Sequence, residues 1–520
     1  MIKNIKIQFI FLLGCFIIMN SCNTDEGNYN YTEINEVVFE GLQDNYVALR
    51  FDNLNIVTDA VKFTEDPNVT GQYEYSWEAV SKNPLDDNIY QISTKKDMDD
   101  RIVLVPGEYT LYYSVKDLNT DVKYQYKTEL EVVNSIYKGW MVLNDVAGES
   151  RLDMVTWLEG DEFREIHDVL DFAESSLTLT GTPGFVQCYA YDPNFYGVYV
   201  STSGNGTTKL EPDTFDWKNE YRLSAEFVSN QPENLEASVL APKSGGYAVV
   251  IANDNLYIYQ RLLATLYGQP MNITRDIFGN TSSFEVSPYI GIADEFGFYK
   301  MVFYDNTNKK FKVHDGRPST SYCSDLFYTP KPGDVGGEVF TPGKDLVYMT
   351  SNSYGSAPPF GAPPGSIFAI LKDPTDNKTY IGRFLSWFAF EPKSYNEVTA
   401  TNFEQAEHIA IDPTFAYIMY NVGSKVYEYD IFTGTTVEML DKGNLEITKL
   451  EYGKFINSGT GSLEESLEKQ LIVCTYDAAG TEGSNGVMEL YKVPAIQGPL
   501  ELQESFTGFG KIVSVSYRAR

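Results

Sequence analysis

The chain has 520 residues, with 40 Lys and Arg against 72 Asp and Glu, a formal net charge of −32. Such a field repels a phosphate backbone and an anionic lipid surface, which excludes nucleic acid and anionic membrane surfaces as natural partners. At 43% hydrophobic and 14% aromatic, with 38 tyrosines, the chain carries too much buriable surface for a disordered acidic tail, and its Tyr, Thr and Val usage suits half-buried strands.

The first element in chain order is a signal. Lys3 and Lys6 give a positive start, Phe9 to Met19 form an apolar run, and Ser21 and Cys22 follow directly. That run fits the ~7–15-residue core of a secretory signal and falls short of the ~20 residues that span a bilayer. The Met19-Asn20-Ser21-Cys22 junction resembles the lipobox of bacterial lipoproteins, in which the cysteine becomes the lipidated N-terminus. The resemblance makes 1–21 a signal peptide and Cys22 the acylated residue. Each buried CH₂ of its acyl chains then contributes about 0.8 kcal/mol to anchoring. Asp25 and Glu26 resemble the acidic export signal that sends lipoproteins to the outer face of the outer membrane. The expected localisation is therefore the outer membrane, lipid-anchored and facing the exterior.

Residues 22–38 are polar and read as a tether. From 39 to 134 short strands alternate with turns. Tyr73 to Glu78 has the period of a half-buried strand and puts Trp77 on one face; Pro106-Gly107 turns into Tyr109 to Val115, and Lys123 to Val133 follows. The spacing predicts a small Ig-like sandwich, and the Trp strand followed by Gly-x-Tyr-Thr resembles a PKD-type module. Trp77 reads as a packing residue and the whole module as a spacer.

From 137 to 520 a looser recurrence appears. A first strand beside Pro or Gly (Phe185 to Tyr191, Leu235 to Leu240, Phe284 to Ile290, Glu407 to Ile411) precedes a more apolar second one. That second strand is Gly197 to Ser201, Tyr247 to Ala252, Phe298 to Tyr304, Phe415 to Tyr420 and Gln470 to Tyr476. A third follows a polar turn at Thr207 to Leu210, Asn255 to Tyr259, Lys310 to His314, Lys425 to Asp430 and Val487 to Val493. The ends are complementary: Trp140 to Leu143 and Arg151 to Trp157 lack a preceding inner strand, and Lys511 to Tyr517 is an inner strand with nothing after it. Joining them closes a β-propeller of roughly seven blades, one of them degraded over Leu346 to Leu385; eight blades, or a row of sandwiches, are the rival folds. Ser351 to Ser366, rich in Gly and Pro, must be a loop, and Leu463 and Leu467 at helical spacing predict a short helix.

Chemistry-bearing patterns are sparse. His167, His314 and His408 are far apart in sequence; His408, at a first-strand position, is the best single candidate for the channel. Cys188 and Cys474 sit in apolar runs as small core residues, and no Cys spacing fits a metal site or disulfide framework. Asp305 to Asn308 and Asp373 to Asn377 read as hairpin turns rather than calcium loops. No catalytic residues, metal or cofactor are expected. A carboxylate pair at ~5–10 Å arising from folding alone keeps a glycoside hydrolase or lyase as the enzymatic alternative. Aromatics in or beside loops are the candidate ligand contacts: Trp217, Tyr354, Phe360 and Trp387.

The segment Asn28-Tyr29-Asn30-Tyr31-Thr32-Glu33-Ile34-Asn35-Glu36-Val37 is similar to the opening of the PKD-like family of surface lipoproteins, and Lys138 to Leu143 looks like that family's entry to its C-terminal part. The resemblance implies an accessory, non-enzymatic subunit that binds a glycan or peptide, or forms a complex, with a SusC-like transporter and a SusD-like lipoprotein of a TonB-dependent importer. A purely structural subunit of the same importer is a further alternative.

Overall fold

A computed structural model of the chain describes residues 35–158, 162–192, 195–243, 247–260, 266–292, 300–317, 319–355, 365–386, 389–453 and 463–518. The signal, Cys22 and most of the expected tether lie outside them. The chain divides into two compact units, Met1–Val133 and Asn134–Arg520. Among the described residues no helix is long and apolar enough to cross a membrane.

In the first unit a five-stranded sheet has the order Asn45–Leu49, Val122–Val133, Gly107–Asp117, Tyr73–Ser81, Ile89–Ser93. The first pair is parallel and the rest antiparallel. Alternation in Tyr73–Ser81 buries Trp77 and Ala79. The Trp77 ring stacks on Tyr113 at 4.2 Å, and its indole N–H donates to the Lys95 and Lys96 carbonyls. Trp77 is therefore a core residue with both its apolar face and its polar tip satisfied; truncating such a ring costs about 3–5 kcal/mol.

Among the described residues the second unit holds eight antiparallel sheets: a two-stranded one, Ile273–Arg275 with Thr281–Ser283, and seven of three or four strands, sheets 1 to 7. Sheet 1 is Phe163–Ile166, Glu149–Trp157, Gly139–Val146 and Lys511–Arg518; sheet 2 is Pro183–Asp192, Phe195–Thr202 and Gly206–Leu210. Sheet 3 is Ala237–Lys243, Tyr247–Ala252 and Asn255–Gln260; sheet 4 is Gly291–Ile292, Met301–Asp305, Lys310–His314 and Ser324–Asp325. Sheet 5 is Asp345–Asn352, Ser366–Asp373, Lys378–Ser386 and Phe390–Glu397; sheet 6 is Ile409–Ile411, Ile418–Val422, Lys425–Tyr429 and Thr436–Asp441. Sheet 7 is Glu446–Tyr452, Gln470–Tyr476, Gly486–Lys492 and Glu501–Phe509, with a short helix, Leu463–Glu468, before its second strand.

The period of two explains why the second strands are apolar throughout. In Tyr247–Ala252, Val250 joins the core shared with sheet 2 and Val249 the core shared with sheet 4. Phe303 and Val302 divide likewise between sheets 3 and 5, Ile367 and Phe368 between sheets 4 and 6, and Tyr420 and Met419 between sheets 5 and 7. Ile472 carries the packing on from sheet 7 to Trp140 and Val142 of sheet 1. A strand covered on both faces has no solvent side, so polar alternation disappears. Cys188, Cys323 and Cys474 are buried and free.

The last strand, Lys511–Arg518, pairs antiparallel with Gly139–Val146 and supplies what the strands at the start of the unit lack. Polar groups hold the seam. Asp153, wholly buried, accepts from Arg151 Nε (2.8 Å), Asn144 (2.9 Å) and the Asp168 N–H (2.8 Å). Arg151 also donates to the Gly483 carbonyl of sheet 7. Ser514 and Ser516 accept the Val186 and Cys188 N–H groups of sheet 2. Arg518 is buried and donates to the Ile136 and Pro212 carbonyls.

Two sequence expectations need correction. The stretch from Leu346 to Leu385 is no degraded unit but part of a four-stranded sheet, whose first two strands pair from Asp345 opposite Lys372 to Asn352 opposite Ser366 with one register shift between Leu346 and Tyr348. The first strand of sheet 4 is Gly291–Ile292 rather than Phe284 to Ile290, because Pro288 brings no N–H to a ladder.

Candidate functional site

Sheets 5, 6 and 7 of the second unit carry a set of buried polar and titratable residues. Asn352 pairs with Ser366 and Ser386 with Phe390, so the connections 353–365 and 387–389 leave sheet 5 from the same end. At that end the Tyr354 N–H donates to Asn352 Oδ1 (3.1 Å), and Asn352 Nδ2 reaches the Ile411 carbonyl of sheet 6 (3.0 Å). The Tyr354 ring packs on Phe368 and lies under the Arg383 guanidinium, 4.6 Å from the ring centroid. Arg383 Nε donates to Ser366 Oγ (2.8 Å), which itself donates to the Tyr354 carbonyl (2.8 Å).

Immediately beyond Ile411, Asp412 opens the turn into the second strand of sheet 6. Its carboxylate accepts the Thr414 and Phe415 N–H groups, while its own N–H and C=O pair with Tyr417 and Ala416. The buried Asp412 faces the Tyr452 hydroxyl of sheet 7; burial raises both its own pKa and that of the phenol. Glu428, on the third strand of sheet 6, is fully buried with Asp412, Asp430 and Gln497 near it, and burial pushes its pKa up to about 7.

The first strands of these sheets contribute a second group. Lys449 lies 3.4 Å from Glu451, which raises its pKa. Half-buried His408, just before the first strand of sheet 6, is pulled below the ordinary histidine range by burial and by Lys449. Tyr348 of sheet 5 meets Tyr289 at 5.3 Å, and burial, with the Glu451 charge, raises its phenol. Among the described residues no three His, Cys, Asp or Glu side chains form a metal-ligand set.

Of the four aromatics singled out in the sequence, Phe360 and Trp387 lie outside the described residues. Trp217 lies in the connection after sheet 2 and is tied to it: its indole N–H donates to Thr208 Oγ1 (2.8 Å), and Arg222 lies 5.1 Å over its ring. Tyr354 is the one placed beside a cation of sheet 5. Arg383, Asp412, Glu428 and Lys449 escape a motif search, although a lone arginine inside the apolar run Tyr380-Ile381-Gly382-Arg383-Phe384-Leu385 is a readable signal.

The PKD-like family model matches residues 22–174. No curated protein matches the chain. Among solved structures, a quinonprotein alcohol dehydrogenase-like protein of Bacteroides thetaiotaomicron is 13% identical over 94% of this chain and 100% of its own, with a TM-score of 0.48. PorZ of Porphyromonas gingivalis, a surface component of the type-IX secretion system, is 9% identical over 92% and 82%, with a TM-score of 0.36. The WD40 domain of SCAP from fission yeast is 10% identical over 63% and 75%, with a TM-score of 0.30. Similarities at this level assign neither ligand nor activity.

Proposed function

We propose that the protein is a surface lipoprotein held at the outer membrane by an acylated Cys22, with a PKD-like spacer followed in the chain by a β-propeller of roughly seven blades. It serves as an accessory ligand-binding or complex-forming subunit of a SusC/SusD-like importer that takes up a glycan or peptide. The observation that carries the anchor reading is the family match, which begins at Cys22 itself and runs through the first unit. The propeller reading rests on the relay of cores from sheet to sheet and on the C-terminal strand, which joins the sheet that opens the unit. The ligand reading rests on the end of sheet 5, where a cation and an aromatic ring stand beside two loops.

Labelled palmitate fed to cells should enter the full-length protein and not a Cys22→Ser variant, and protease added to intact cells should degrade the labelled protein. Equal labelling of the variant, or protection from protease until the cells are broken, would overturn the anchor and its orientation.

A further inference from the structure

Arg383 is a half-buried cation that the protein leaves without an acidic partner. Several partly buried cations of the second unit have one, among them Arg151 with Asp153, Lys209 with Glu226, Lys312 with Asp325 and Lys442 with Glu489, whereas Lys344 donates to the Glu338 carbonyl and lies over the Tyr395 ring. Arg383 has Ser366 Oγ and the Tyr354 ring instead, and among the described residues no carboxylate lies within ion-pair distance of it. Removing a guanidinium from water without a counter-charge is costly, more so in a chain whose carboxylates outnumber its basic groups.

The surroundings fix the group in place. Nε is committed to Ser366, Ser366 to the Tyr354 carbonyl, and the ring supports the guanidinium plane, so the Nη side of the fork has one orientation and no described acceptor. Gly355 borders that side in a left-handed conformation (φ 77°); a Cβ there would stand 2.7 Å from Nη2. Glycine thus satisfies the backbone and keeps a Cβ from standing against Nη2.

We propose that Arg383, oriented by Ser366 and Tyr354, receives a carboxylate carried by the ligand, an inference that rests on the ligand-binding reading above. With Nε committed, the Nη1/Nη2 end of the planar fork matches a carboxylate in bidentate geometry, which a lysine ammonium does not reproduce. The net charge of −32 opposes collection of anions at long range, so recognition is local and depends on the fork. Two sources supply this chemistry: a uronic acid in a glycan, or the C-terminal carboxylate of a peptide.

The test is calorimetric titration of the full-length lipoprotein in detergent with four probes. These are a glucuronate-containing disaccharide, its neutral glucose counterpart, a short neutral peptide with a free C-terminus, and the same peptide amidated. The expected result is binding of one acidic probe, with its uncharged counterpart weaker by about 10- to 100-fold. The acidic probe that binds identifies the source. Arg383→Gln should abolish the preference, and Arg383→Lys should restore only part of it, with unchanged thermal unfolding showing that both variants fold. Binding of a neutral probe as tightly as its acidic partner would overturn the carboxylate assignment while leaving the ligand-binding reading intact. Failure of all four probes to bind, or wild-type affinity in Arg383→Gln, would also overturn it.

Discussion

Glu428 is enclosed where sheet 6 packs on sheet 7, with Asp412, Asp430, Tyr417 and Gln497 as its polar neighbours. Burial, chiefly, and the two aspartates raise its folded pKa from the ordinary 4.5 to about 7, and Gln497 opposes them. The folded state therefore holds a proton that the unfolded state releases. This contribution is fully present below pH 4.5 and is lost as pH rises through 7, a loss of about 2 kcal/mol once water access is allowed for. Glu428→Gln keeps the shape and removes the ionisation. Thermal unfolding should show the variant close to wild type at pH 5 and more stable at pH 8; parallel profiles across that range would refute this account. Asp412 adds to the same trend, since burial raises its pKa too.

At the scale of the element, the C-terminal strand is the most consequential. Lys511–Arg518 pairs with Gly139–Asp145 with one register shift at Leu143/Asn144, places Ile512 and Tyr517 in the core shared by sheets 7 and 1, and ends on the buried Arg518. Truncation after Gly510 removes all of this and leaves an open edge on an apolar sheet. The truncated protein should aggregate or melt at least about 10 °C lower, measured by calorimetry beside size-exclusion chromatography. A monomeric product with the wild-type melting temperature would show that the strand is dispensable. This strand was legible in the sequence because Ile512, Val515 and Tyr517 form an apolar run, and so were Tyr247–Ala252 and Gln470–Tyr476. The fourth strands were not. Glu501–Phe509 is mostly exposed and Phe390–Glu397 starts Phe-Glu-Pro-Lys, so neither shows the apolar periodicity that marks a buried element. The Arg383–Tyr354 contact was equally hidden, since it depends on which strand of sheet 5 lies beside which.

For the whole molecule, the charge of −32 and the aromatic content define what the protein can approach, while the proposed location and partnership rest on its N-terminus. The PKD-like match and the acidic residues after Cys22 support the proposed surface location, and the second unit sets a cation against a tyrosine at one end of sheet 5. The measurement that tests this most directly is a gentle detergent pull-down of the full-length protein from the membranes of its native cells, with mass spectrometry of the associated proteins and small molecules. The account predicts recovery of a SusC-like transporter and a SusD-like lipoprotein with it. Recovery of the protein alone, under conditions that keep a known importer complex intact, would contradict the proposed role as an importer subunit.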